Sequence, residues 1–199
     1  MKLYFTKGTC SLCPQIVLSE LGADVEMVPV NLKEKLLPDG SDYRAVNPKG
    51  YVPFLETDEG FGLSECQVMI QYLADRHPEA GLAPAPGTVE RVRLQEWLSF
   101  IGSELHKNFP PMFLPYVPDD YRPVARARVT QRLEYLDGQL AGRDYLMGKD
   151  FSIGDAYGYT ILRWSVPAKY DLTPLRRVKA WFDSIGERPA VKAALAAEG

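Results

Sequence analysis

The sequence is poor in the residues that hold metals and staple small secreted domains. It has three cysteines and two histidines in 199 residues. An odd cysteine count suits free thiols in a reducing compartment better than a disulfide scaffold. No ligand pair has the spacing of a zinc site, so no metal is expected. No apolar run reaches the ~18 residues of a membrane span. Met1–Phe5 is too short for a signal peptide before Lys7 and Gly8 intervene. The expected location is therefore the cytoplasm, with no membrane partner. Basic excess is lacking too. The net charge is −3 and the isoelectric point near 5.5, which argues against a nucleic-acid partner. Arg122, Arg126, Arg128 and Arg132 crowd one segment, at a spacing that reads as the solvated face of a helix. There is no Gly-rich phosphate loop and no nucleophile elbow.

What is present is ordinary globular composition, 46% apolar and 25% charged. Lys2–Phe5 reads as a strand, Ile16–Leu21 as part of a helix closed by Gly22, and Val25–Asn31 as a second strand. Strand, helix, strand makes a parallel pair. A helical turn is expected near Tyr43. Phe54–Thr57 and Phe61–Leu63 flank Asp58-Glu59-Gly60 as a hairpin. Ser64 with Gln67 reads as a capping box opening the next helix, which His77-Pro78 ends. Residues 79–87 have linker composition. Beyond them the strand signal vanishes. Helical spacing runs over Val89–Lys107 and Val124–Leu140. It returns after the Ser152/Asp155 start signal and after Thr173-Pro174, read as N-cap and first position. A short Ala-rich helix closes the chain. The expectation is an α/β domain over 1–78, a linker over 79–87 and an all-α domain over 88–199.

Cys10 is the first chemical candidate. It lies between a strand and a helix N-terminus, where unpaired N–H groups and the helix dipole favour thiolate. Cys13 completes a C-x-x-C, a thioredoxin-like redox spacing. Val52-Pro53, after Gly50, marks a fixed turn. A cis bond there would turn the Val52 backbone outward to pair with an extended peptide. Ser64-Glu65 at a helix start suits a charged ligand end, or plain capping. His106 and Lys107 stand late in the helix that opens the second half.

These residues sit in longer stretches. They are Gly8-Thr9-Cys10-Ser11-Leu12, Asn47-Pro48-Lys49-Gly50-Tyr51-Val52-Pro53, Ser64-Glu65, Gln71-Tyr72-Leu73-Ala74-Asp75, Glu104-Leu105-His106-Lys107 and Phe151-Ser152-Ile153-Gly154-Asp155-Ala156-Tyr157. In this order and separation, the chain resembles the beta-class bacterial glutathione transferases over essentially its whole length. The resemblance implies a thioredoxin-like N-terminal domain, an all-α C-terminal domain and a homodimer. It implies glutathione as co-substrate, its sulfur against Cys10. Lys35 would reach the glycine carboxylate, Val52 before a cis Pro53 would pair with the cysteinyl backbone, and Glu65 and Cys66 would hold the γ-glutamyl end. Ser99, Ser103, Glu104, Leu105, His106 and Lys107 would line the site, partly across the dimer. Position 66 commonly carries Ser or another small residue in that family, position 51 Gln, position 99 Asn and position 5 Tyr; Cys66, Tyr51, Ser99 and Phe5 depart from this.

The function so implied is conjugation of glutathione to small hydrophobic electrophiles, with Cys10 and His106 polarising the sulfur. Phe109, Met112, Phe113 and Trp164 are expected around the acceptor, unless they serve only as core. Cys10-dependent disulfide or peroxide reduction would accompany it. Two other readings stand beside it: a glutaredoxin-like reductase using Cys10 and Cys13, and a non-catalytic binder of hydrophobic molecules.

Overall fold

The computed structural model describes residues 1–198. They form two compact units, Met1–Ala80 joined by the last helix, and Gly81–Arg188.

In the first unit β1 (Lys2–Phe5), α1 (Leu12–Leu21) and β2 (Glu26–Pro29) are followed by β3 (Phe54–Glu56), β4 (Gly62–Leu63) and α2 (Cys66–Asp75). The sheet order is β2-β1-β3-β4. β1 runs parallel to β2, as a helical crossover demands, and antiparallel to β3, while the short turn through Gly60 makes β3 and β4 antiparallel. A 3₁₀ turn at Tyr43–Ala45 fills the expected place. Successive β1 residues face opposite ways, and both faces are covered. Leu3 is fully buried, and Tyr4 packs in a cluster with Val30, Tyr43 and Val52. β2 is shorter than the expected Val25–Asn31, because pairing with β1 ends at Pro29.

The closing helix, α7 (Pro189–Ala197), corrects the expected 88–199 boundary. It packs on α1 in the first unit. Val191 and Ala194 are its buried face. The Glu198 carboxylate accepts from Gly8 N–H at 3.3 Å and Gln15 Nε2 at 3.2 Å. Chain order placed α7 beside its helical neighbours, but the surface that covers its apolar stripe belongs to α1.

The second unit holds α3 (Val89–Phe100), α4 (Arg122–Gln139), α5 (Ile153–Leu162) and α6 (Arg176–Gly186). α3 runs on into a π-helical segment, Ile101–His106, where an unbroken α-helix was expected. Leu94, Leu98, Ile101, Val129, Leu133, Ile161 and Val178 fill the core. Every residue of α5 is buried. Gly158 there admits close packing, since a Cβ would stand 2.7 Å from the Trp181 ring. The capping box at its start is present, and it extends further. Asp155 accepts from Ser152 N–H (2.9 Å) and Oγ–H (2.7 Å), Leu146 N–H (2.8 Å) and Trp181 Nε1–H (2.9 Å). Burial pushes this carboxyl up, and the four donors oppose the shift.

Two other cap expectations fail for tertiary reasons. α2 starts at Cys66 with Glu65 as its cap residue, because the Ser64 hydroxyl accepts from Lys49 Nζ (2.9 Å) instead. α6 starts at Arg176, not at Pro174. Thr173 turns to Asp171, and Asp137 of α4 takes the exposed N–H groups of Arg177 (2.8 Å) and Val178 (3.0 Å). The arginines of α4 are more than a solvated face. Arg122 donates to the carbonyls of Met112, Leu114 and Val117, and Arg126 to those of Ala168 and Lys169.

Asp155→Ala leaves three buried N–H donors without an acceptor and is expected to cost about 3 kcal/mol or more; urea unfolding measures it. Asp137→Ala should cost about 1 kcal/mol near neutral pH, as loss of a cap. Burial pushes the Asp137 carboxyl up, but hydrogen bonds from Val178 and Arg177 outweigh it and hold the group below 3.8. A lowered folded value means that the contribution is present above pH 3.8 and fades as pH falls through that lower value. Wild type and variant should therefore converge in acid unfolding curves; a gap that stays constant to pH 2 would contradict this account.

Candidate functional site

In the first unit the site grows from the loop between β1 and α1. Gly8 has φ +76° and makes the turn. Thr6 N–H donates to Ser11 Oγ (3.1 Å), and Ser11 Oγ and Thr9 Oγ1 donate back to the Thr6 carbonyl at 3.0 and 2.8 Å. This closed ring of hydrogen bonds holds Cys10 just before the first residue pair of α1. The Cys10 thiol is partly exposed and donates to the Val52 carbonyl at 3.4 Å.

The Val52–Pro53 bond is cis. Its approach is built by two donors on one oxygen. Tyr43 Oη and Asn47 Nδ2 each donate to the Tyr51 carbonyl at 2.8 Å. Burial pushes the Tyr43 phenol up to about 12, which keeps it a donor over any working pH. Among the described residues the Val52 N–H meets no acceptor. Lys35 joins the same corner, donating to the Gly50 carbonyl at 2.8 Å with its ammonium over the Tyr51 ring.

At the start of α2, Glu65 takes φ +69°, ψ +105°, a rare setting for a residue with a side chain. Its carboxylate and the Ser64 hydroxyl share the Lys49 ammonium at 3.0 and 2.9 Å. Cys66 follows, with Sγ 3.8 Å from the Cys10 carbonyl. Burial first, then the neighbouring Cys13 thiol, push the Cys66 thiol well up. The fold thus gathers Cys10, Lys35, Val52, Pro53, Glu65 and Cys66 within one unit. Lys49, Tyr43 and Asn47 are the supporting residues that spacing did not single out. Asn47 and Lys49 stood in the quoted Asn47–Pro53 stretch and Tyr43 at the expected helical turn, none of them with a role assigned.

In the second unit the other expected residues lie on and beside the π-helical segment. Ser103 Oγ donates to the Ser99 carbonyl at 3.0 Å, and Glu104 pairs with Arg132 at 2.6 Å. Leu105 is fully buried, so its side chain belongs to the core. His106 Nδ1 meets Tyr157 Oη at 2.7 Å. The imidazole stands edge-on to Trp164 at 4.9 Å, and Trp164 to Phe113 at 6.0 Å. Lys107 caps the segment. Of the expected acceptor residues Phe109 is fully buried and Met112 nearly so, which leaves Phe113 and Trp164 partly exposed. A cavity of 910 Å³ beside α3 and α4 is lined by Trp97, Phe100, Tyr135 and Arg143, and by none of the expected site residues. Among the described residues no cluster of three or more His, Cys, Asp or Glu is placed to hold a metal ion. Among the same residues no helix is long and apolar enough to cross a membrane.

Two family models match the chain, the glutathione S-transferase N-terminal domain over residues 12–81 and the glutathione S-transferase C-terminal domain over residues 100–189. The glutathione S-transferase GstA of Escherichia coli O157:H7 is 42% identical, over 100% of this chain and 99% of the relative. The chain belongs to the glutathione S-transferase family. A sphingomonad glutathione S-transferase solved in complex with glutathione is 44% identical with a TM-score of 0.96, covering 100% of this chain and 99% of that one. The beta-class glutathione S-transferase of Sphingomonas chungbukensis is 41% identical with a TM-score of 0.96, at the same coverage. This transferase therefore shares its thioredoxin-like first unit and helical second unit with bacterial beta-class members.

Tyr157→Phe removes the hydroxyl that meets His106 Nδ1 and should cost about 1 kcal/mol. It should also shift the imidazole ¹⁵N resonances. Unchanged resonances would mean that the pairing is not kept in solution.

Proposed function

We propose that this transferase binds glutathione with its sulfur beside Cys10 and conjugates it to small hydrophobic electrophiles. The observation that carries the reading is the Val52 backbone at the cis proline. Its carbonyl already receives the Cys10 thiol, and its N–H meets no acceptor among the described residues. An extended cysteinyl backbone can take that edge as a strand would, which delivers its sulfur to Cys10. Glu65 would take the α-ammonium of the γ-glutamyl group in exchange for Lys49. The Cys66 N–H, at the first position of α2, would donate to the α-carboxylate. Lys35 would leave the Gly50 carbonyl for the glycine carboxylate. Catalysis would come from a lowered glutathione thiol pKa and from placement of the electrophile.

From the helical unit, the beta-class resemblance assigns His106 to the sulfur and Ser99, Ser103, Glu104 and Lys107 to the lining. Phe113 and Trp164 are the aromatic surfaces left for an electrophile. A cytoplasmic homodimer belongs to the same reading. The Cys10/Cys13 dithiol reading gets less support, because the Cys10 thiol is turned to the Val52 carbonyl; a monothiol reduction at Cys10 is compatible with the geometry.

The test is turnover of a chromogenic aryl halide with glutathione. Activity above buffer is expected, and none at millimolar glutathione would overturn the reading. Glu65→Ala should weaken glutathione binding by about 10- to 100-fold in calorimetry, the cost of one charge-assisted hydrogen bond. Cys10→Ser should keep conjugation and lose any thiol–disulfide reduction.

A further inference from the structure

Three sulfurs lie close together in the first unit, and the fold sorts them in a way that the C-x-x-C spacing does not. Cys10 is partly exposed and its thiol is turned to the Val52 carbonyl. Cys13 is fully buried and Cys66 is 6% exposed. Cys13 is the second residue of α1 and Cys66 the first of α2, and these helices pack on each other. Cys13 N–H donates to the Cys10 carbonyl at 3.1 Å. Cys66 Sγ also sits 3.8 Å from the Cys10 carbonyl, so the sulfur is fixed over the start of α1.

We propose that Cys13 and Cys66 are a redox pair that closes to an intrachain disulfide between α1 and α2, with hydrogen peroxide as oxidant and Cys10 outside the bond. Cys66, the less buried of the two, reacts first. Its thiol gives a proton to solvent, and the thiolate attacks one peroxide oxygen. The O–O bond breaks, leaving a sulfenic acid and a hydroxide that takes up a proton as water. The Cys13 sulfur then attacks the sulfenic sulfur. The S–S bond forms, the S–O bond breaks, and the departing hydroxide leaves as water with the Cys13 proton. In sum two thiols lose two electrons and two protons, and one peroxide becomes two waters. Burial restricts the oxidant to a small molecule and holds the Cys66 thiol protonated, so closure is slow at neutral pH and speeds up with the thiolate fraction. A bond here would tie the residue at the start of α2 to α1 while leaving the Cys10 thiol available.

The experiment treats reduced protein with hydrogen peroxide, caps remaining thiols, digests without reductant and fragments the cross-linked peptides. In the wild type, fragmentation should assign the bond to Cys13 and Cys66, although Cys10 shares a tryptic peptide with Cys13. Cys10→Ser should still cross-link with loss of two hydrogens, and Cys13→Ser should not. The rate should rise about tenfold per pH unit between pH 7 and 8. A bond assigned to Cys10 in the wild type, or full recovery of capped Cys13 and Cys66 after oxidation, overturns the proposal. The wild-type map decides even if a serine variant fails to fold. Glutathione binding plays no part in the experiment, so its result stands apart from the transferase reading.

Discussion

One carbonyl oxygen organises the edge proposed for glutathione. The Tyr51 carbonyl takes two hydrogen bonds of 2.8 Å, from Tyr43 and from Asn47. Both donors are buried, at 0% and 2% exposure, so neither is lost to water. They fix the peptide that precedes Val52, and through it the direction of the Val52 carbonyl and N–H. Cys10 completes the contact from the other side, positioned by the ring of hydroxyls at Thr6, Thr9 and Ser11. Each half alone is a loop. Held against each other they become a rigid edge that an extended peptide can pair with.

The helical unit has its own buried anchor. Asp155 gathers four donors, from the start of its helix, the preceding loop and α6. The same helix carries Tyr157, whose hydroxyl meets His106. The segment bearing His106 is wound as a π-helix, which inserts a residue into the turn and so re-aims the side chains that follow. Such turns often mark functional positions, and this one carries Ser103, Glu104 and His106 together.

Much of the fold was legible in the chain. Period-two and helical patterns, with Gly and Pro punctuation, placed β1, the hairpin and most helices, because those signals are local. The errors share a cause. Ser64 and Thr173 have the right chemistry to cap, but Lys49 and Asp171 claim their hydroxyls. Asp137 caps α6 from a distant helix. α7 carries an amphipathic pattern that does not say which surface it will meet. The candidate site was legible only as a set of motifs, Cys10, Val52-Pro53 and Glu65 among them. Their supporting donors were not, since Tyr43, Asn47 and Tyr157 look like any buried aromatic or turn residue.

The amino-acid order by itself determined the parallel strand pair, the α/β-then-α division and the residues available for chemistry, because these follow from short-range periodicity and from residue type. Only the tertiary structure decided which of those residues meet. Cys13 is spaced to pair with Cys10, yet α1 buries the Cys13 side chain fully while Cys10 stays partly exposed. Leu105 adjoins His106, yet one is core and the other reaches Tyr157. Contact between groups far apart in the chain depends on how whole faces pack, and no local pattern carries that information.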